Sequence, residues 1–395
     1  MSPHGSVLTG MPSFDIFSRV IDNFGDAGVC WRLATQLQHA LNDTKAEHRS
    51  GFDAAHNTVR LFIDDLSRLA ALVPEVNPDL ARQTIEGVEI LHWLCADHVS
   101  YTATIVIEAF GCDLPSHYQT LMTDYTKLWI NLEYLSAEPW VAQWHGLPSL
   151  QPNGLAKFFF FPGFTEQTGG LLRETDLLDR HQVWQRQANT RQKVLHSLGL
   201  SDTALRMIAE DALLIFLFGY ANKPLDELIS GLNKASRNAV ILVPTHTLGG
   251  LPGLERAHGH AHVAPVPFVP QSDFDHLLWS CDINAVRGED SLVRSLWAGQ
   301  PMIWHIYPQP DYAHHDKLEA FLAITPLPNE VKELMRAWNR VADTRAVSTL
   351  VAECIQPDAL KSWRHAMQTY SEHLASEPAL VTRLLEFCAK KLGTG

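Results

Sequence analysis

The chain alternates short, continuous apolar runs with amphipathic stretches, a pattern that predicts parallel strands joined by helices. An apolar run ending at Val20 and Ile21 reads as the first strand. Residues 27–41 read as the first helix, with Val29, Leu33, Leu37 and Leu41 on one face. Further strands are expected at 58–63, 88–91, 103–107, 128–132 and 157–161. A polar helical segment at 171–200, rich in Gln and Arg, reads as a bridge between two domains. A second series follows at 213–218, 240–243, 263–269, 281–286 and 301–306, the third edge-like because prolines interrupt it. The C-terminal stretch is helical, with Leu380, Leu384, Leu385 and Cys388 on one face. The fold class expected is therefore α/β, with two Rossmann-like domains and a helical tail.

The loop after the first strand, Asp22-Asn23-Phe24-Gly25-Asp26-Ala27-Gly28, carries two acids and two glycines. A strand–loop–helix unit places such a loop at the carboxyl edge of a parallel sheet, where open α/β folds bind ligands. The acids are placed for chemistry there, or Asp26 simply caps the helix. Other strands also finish on acids: Asp64 and Asp65, Glu108, and Glu133. An acidic rim of this kind would attract a cationic acceptor, although an acid at a strand end can equally be solvated or capping.

Arg287-Gly288-Glu289-Asp290-Ser291 repeats the scheme of strand, glycine, acids and helix. Ser291 is a candidate cap, and a helix start offers N–H groups and a positive dipole end to a phosphate. Arg287 would complete the cradle as a fixed cation. Glu289 and Asp290 would repel a diphosphate and are better placed for sugar hydroxyls or for holding the arginine. Phe218 and Tyr220, at the end of one strand, and Phe274, in another loop, could clamp a flat base between rings. Gln271 could read the base edge, since its amide both donates and accepts. Core packing is the alternative for each phenylalanine.

With 395 residues the chain is long enough for two domains, and its 46% hydrophobic and 19% charged residues are those of a globular protein. A net charge of −13 disfavours a general nucleic-acid binder. The six cysteines are scattered without metal-type spacing and suit buried thiols in a reducing cytoplasm. No signal peptide or membrane-spanning run is evident. His258, His260 and His262, and the pair His314 and His315, are the closest histidine groupings, and no metal site is expected from them. A P-loop GxxxxGK[ST], a GxGxxG after the first strand and a GxSxG elbow are all missing from the sequence.

The stretch Asp15-Ile16-Phe17 with Val20 to Val29 resembles the N-terminal signature of the bacterial protein-arginine rhamnosyltransferases that modify translation elongation factor P, the EarP family. Arg287 to Ser291 matches as well, as do Ile306-Tyr307-Pro308-Gln309, His315 and Lys317. The resemblance runs from about residue 13 to the last helix. It implies a GT-B glycosyltransferase with two domains facing a cleft: 12–175 for the acceptor, 176–362 for the donor, and helices 363–395 returning to the first. It implies inverting transfer of L-rhamnose from dTDP-β-L-rhamnose to an arginine of elongation factor P, in the cytoplasm and without cofactor or metal. The modified factor would rescue ribosomes stalled on proline runs.

By motif position, Asp26 would be the general base, Asp22 a second essential acid and Glu289 a catalytic-site residue at the donor sugar. Phe218 and Phe274 would sandwich the thymine. Asn23, Phe24, Gly25, Tyr220, Gln271, Arg287, Gly288, Asp290 and Ser291 would hold the rest of the donor. Two other readings remain on the sequence alone. One is a GT-B enzyme with another nucleotide sugar and a small or lipid-linked acceptor; the other is a nucleotide-binding regulator without catalysis.

Overall fold

Strand β1 (Phe14–Ser18) lies at the centre of the first sheet, buried along its whole length and paired in parallel with β2 (Val59–Ile63) and β5 (Ile105–Ala109). A strand covered on both faces is not expected to alternate apolar with polar residues; β1 is apolar except at Asp15 and Ser18, which are themselves fully buried. The computed structural model describes residues 12–22, 24–47, 58–245 and 255–393. With β3 (Arg82–Ile85), β4 (Val88–His92), β6 (Leu128–Leu132), β7 (Pro148–Leu150) and β8 (Ala156–Phe160), the order is β3-β4-β2-β1-β5-β6-β8-β7. β3 and β7 pair antiparallel and close the two edges. Helices α1 (Gly25–Glu47), α2 (Leu66–Leu72), α3 (Ser116–Tyr125) and α4 (Val141–Trp144) connect the strands.

Below β1 the core is aromatic. Phe17 stacks on Phe62 at 4.4 Å between centroids, with Trp93 and Tyr118 edge-on. Asp15, fully buried, accepts from Arg60 Nε and Nη2 at 2.5 Å each, from the Ala103 N–H and from the Tyr118 hydroxyl. A buried charge satisfied this completely is stable only as a set, because removing one partner strands the others.

The second sheet has the order β11-β12-β10-β9-β13-β14. Its strands are β9 (Leu213–Leu217), β10 (Ala239–Pro244), β11 (Arg256–His258), β12 (Ala261–Val266), β13 (Ile283–Arg287) and β14 (Met302–His305). Contrary to expectation, β12 is not an edge strand. Among the described residues antiparallel β11 pairs with it at residues 261–263, and Pro265 lies beyond that pairing, where its missing N–H removes no bond to the described part of β11. The helices of this unit are α5 (Leu177–Arg186), α6 (Thr190–Ser197), α7 (Asp202–Ala209), α8 (Leu225–Lys234), α9 (Gln271–Ser280), α10 (Asp290–Ala298), α11 (Ala313–Ile324), α12 (Asn329–Trp338), α13 (Val347–Cys354) and α14 (Pro357–Ser376).

The chain divides into Met1–Glu174 with Glu377–Gly395, and Thr175–Ser376. The chain thus crosses between the units inside the 171–200 segment, close to its start. From Thr175 it belongs to the second unit, where His181 and Trp184 of α5 pack on Trp279 of α9. The return to the first unit comes at Glu377 rather than 363, since α14 stays with the second. There α15 (Leu380–Leu392) sets Phe387 against Phe158 and Phe160, while Arg383 Nη1 donates to the carbonyls of Thr165 and Thr168 at 2.6 and 2.7 Å. No helix among the described residues is long and apolar enough to cross a membrane.

Candidate active site

In the first unit the strand order turns outward on either side of β1, which pairs with β2 on one side and β5 on the other. The acid loop emerges at this switch point. β1 ends at Ser18, three residues before the expected end at Ile21, and Ile21 is 66% exposed. The amides of Ile21 and Asp22 leave the sheet to donate to Asp26 Oδ2, at 2.7 and 2.8 Å. Asp26 therefore does not cap α1 in the usual sense, which would point its carboxylate at the following N–H groups. It reaches back and fixes the loop. The helix begins at Gly25, two residues earlier than expected, with the Gly25 N–H on the Asp22 carbonyl at 2.7 Å. A Cβ on Gly25 would sit 3.2 Å from Asp22 Oδ2, so glycine is what lets that carboxylate lie against the helix start.

Asp26 is only 2% exposed. Burial pushes its carboxyl above the ordinary range; the amides of Asp22 and Ile21 and the hydroxyl of Tyr134 act the other way, and the charge of Asp64 adds to the rise. Asp22 is half-buried, and Phe24 lies under the Arg68 guanidinium at 5.3 Å. Asn23 lies outside the described residues. Tyr134 went unnoticed in the sequence. It follows β6, and its ring stacks on Phe110 at 4.3 Å and 10°. Phe110 has φ 59°, a left-handed conformation that a bulky residue rarely adopts.

The expected acidic rim is largely committed to the fold. Glu108 is buried, accepting from the Asp113 N–H, Trp129 Nε1 and Lys157 Nζ at 3.0, 3.1 and 3.1 Å. Asp64 accepts from the Val20 N–H, Asp65 caps α2, and Glu133 accepts from Asn131. Asp22 and Asp26 are the pair set on the loop itself.

The donor candidates of the second unit gather at one sheet edge, around the switch point between β9 and β13. Phe218 and Tyr220 follow β9, Arg287 ends β13, and Gln271 and Phe274 sit in the first turn of α9. A buried pair, Arg294 Nε to Asp275 Oδ1 at 2.7 Å, locks α9 to α10 and so fixes these groups relative to the Arg287 loop.

Gly288 needs its φ of 62°, and Trp304 Nε1 donates to its carbonyl at 2.8 Å. Glu289 Oε1 accepts from Lys317 Nζ at 2.6 Å. Ser291 is not the cap; Glu289 occupies that position without a side-chain bond. The Ser291 hydroxyl instead folds back, accepting the Arg287 N–H at 3.1 Å and donating to the Arg287 carbonyl. Asp290 opens α10.

The two phenylalanines do meet, but edge to face. Phe218 and Phe274 are 6.1 Å apart at 66°, and both touch Phe216. A base stacked between them requires one ring to turn. Arg287 already lies 4.4 Å over Phe218 and 5.0 Å from Tyr220. The sequence reading also missed Lys223, which is pushed down by burial and by Arg287, and His305 beside it. Among the described residues no group of three or more His, Cys, Asp or Glu is arranged to hold a metal. His262 of the histidine-rich strand pairs instead with Glu255.

Two Rossmann-like units, one with a buried acid loop and one with aromatic, cationic and amide groups at a sheet switch point, define a glycosyltransferase of the GT-B class. The elongation-factor P (EF-P) rhamnosyltransferase EarP family model matches residues 14–389. A protein-arginine rhamnosyltransferase of Pseudomonas putida is 42% identical, covering 96% of this chain and 99% of its own. One from Neisseria meningitidis is 35% identical over 95% and 96% of the two chains. A solved structure described as the basis for EarP-mediated arginine glycosylation of translation elongation factor EF-P superposes with a TM-score of 0.59 at 31% identity, covering 96% and 99%. This chain belongs to the EarP family.

Proposed function

We propose that the protein transfers L-rhamnose from dTDP-β-L-rhamnose to an arginine side chain of elongation factor P, inverting the anomeric centre and so preparing the factor to rescue ribosomes stalled at proline runs. The observation that carries the reading is the loop at Asp22–Asp26, where a buried carboxylate is held rigid by two amides in a chain of the EarP family. A carboxylate has about four lone-pair sites. The Ile21 and Asp22 amides and the Tyr134 hydroxyl occupy three, which leaves Asp26 able to accept one more N–H.

A guanidinium cannot be stripped of its proton beforehand, because its pKa exceeds about 12. Asp26 orients it by a charge-assisted hydrogen bond and takes the proton as the C–N bond forms and the nitrogen acidifies. Asp22 holds the other arm of the fork. In the second unit Phe218, Phe274 and Gln271 hold the thymine, and Glu289, positioned by Lys317, meets the sugar. Arg287 and the start of α10 stabilise the departing dTDP, in a reaction we propose to need no metal.

Incubating the protein with elongation factor P and dTDP-rhamnose tests this reading directly. A deoxyhexose on one arginine supports it. Transfer to a small molecule or lipid instead would contradict it.

A further inference from the structure

His305 ends β14 directly opposite Arg287 in the β13–β14 ladder, so it stands at the same sheet edge as the donor residues. Its side chain is 3% exposed, and Nδ1 has no hydrogen-bond partner among the described residues. A buried polar atom left unmatched calls for a reason. The loop over it is built for close approach: a Cβ on Gly219 would lie 3.1 Å from His305 Nδ1 and 2.8 Å from Lys223 Cβ. The Tyr220 ring stands edge-on to the imidazole at 5.2 Å.

The same loop is held by two outside cations and carries a third. Arg287 Nη1 donates to the Gly219 carbonyl at 3.5 Å, Arg340 Nη2 to the Asn222 carbonyl at 3.4 Å, and Lys223 belongs to the loop itself. The charges acting on His305 are those of Arg287, Lys223, Arg340 and His314, every one of them cationic or capable of becoming so. A buried, unmatched imidazole inside such a ring of positive charge is arranged for an anion of high charge density.

We propose that the loop 219–223, with Lys223, Arg340 and His305 around it, seats the diphosphate of the donor, and that His305 takes up one proton from solvent as the diphosphate binds. This rests on the reading of the donor as a nucleoside-diphosphate sugar. Burial first, and then the surrounding cations, hold the imidazole down at about 4, so it is neutral at pH 7. The diphosphate of a nucleotide sugar brings two negative charges and reverses the local field. The imidazole gains an N–H and the proton comes from water; no other bond changes.

Calorimetric titration with dTDP-rhamnose and, separately, dTDP-glucose, each in two buffers of different ionisation enthalpy, measures that proton. Neither sugar nucleotide has a phosphate that titrates near neutrality. Expected are uptake of a proton that grows as pH falls from 8 to 6 and affinity that rises several-fold over that range. His305→Gln should abolish both. Lys223→Met should weaken binding about tenfold while the uptake persists.

Binding by the unmodified protein without uptake would overturn the proposal, as would unchanged uptake in His305→Gln. Binding of dTDP-glucose with uptake, but not of dTDP-rhamnose, would sustain the proton-linked seat and refute the donor assignment. Failure of both to bind would overturn the seat itself.

Discussion

The guanidinium of Arg287 lies 4.4 Å above the ring of Phe218, so the cation rests on one wall of the proposed base site. A planar guanidinium can rest on an aromatic ring and still offer its N–H fork to a phosphate, which an ammonium does not do equally well. Arg287→Lys should therefore weaken dTDP-rhamnose binding at least tenfold while leaving the melting temperature within a few degrees. Isothermal titration calorimetry with thermal melts checks both, and an unchanged affinity would separate Arg287 from the donor.

The two rings of the proposed base site differ in burial, and this separates their expected effects. Phe274 is half-buried and Phe218 is 8% exposed. Loss of one stacked ring costs about 1–3 kcal/mol of binding, or roughly five- to 150-fold. Phe274→Ala should show that loss in donor affinity with a small change in stability. Phe218→Ala should also lower the melting temperature, because it leaves a cavity beside Phe216.

The pH profile reports the state of Asp26. A carboxylate that accepts a proton in the transition state must first be ionised, so activity rises with pH through the Asp26 pKa, already pushed upward by burial. The Tyr134 hydroxyl lowers that pKa. Tyr134→Phe keeps the ring on Phe110 and removes the hydroxyl, so the acidic limb of kcat/KM should move to higher pH. An unmoved limb would show that the hydroxyl does not set the Asp26 pKa.

Acid stability follows from His145, where burial first and then Arg383 push the imidazole down to about 4, while Nδ1 accepts the Phe161 N–H at 3.0 Å. The unfolded chain protonates this histidine near its ordinary value of 6.5 and the folded chain resists. The stabilisation is complete above pH 6.5 and is lost as pH falls toward 4. Melts across this window should show a decline that is shallower in His145→Gln. An equally steep decline in the variant would assign the acid sensitivity to other groups, His305 among them.

The apolar runs of the sequence carried both sheets, because strands buried on two faces leave few alternatives. What they concealed was where β1 stops. Val20 and Ile21 are as apolar as the strand before them, yet the Ile21 amide is drawn off by Asp26, a bond no pattern reveals. The acids at strand ends were visible, but not that Lys157, remote in sequence, would neutralise Glu108. Gly288 and Glu289 were legible as a loop between a strand and a helix, with Arg287 closing the strand one residue later than expected. His305 was not, since nothing local marks it. Its signal is register, the place opposite Arg287 at the end of the neighbouring strand. Ser291 looked like a cap because caps are the commonest use of serine before a helix. Here the helix starts two residues earlier than a Ser291 cap would place it, at Asp290, and the hydroxyl turns back to the loop.

Intact-mass and fragment-ion spectrometry of elongation factor P, incubated with dTDP-rhamnose and either the unmodified protein or Asp26→Asn, tests the central claim most directly. The account predicts one deoxyhexose on a single arginine with the unmodified protein, and its loss by at least a hundredfold in rate with Asp26→Asn, within the range expected for removing a general base. Transfer that survives the substitution would contradict Asp26 as the proton acceptor, and an unmodified factor in the presence of bound donor would contradict the function itself.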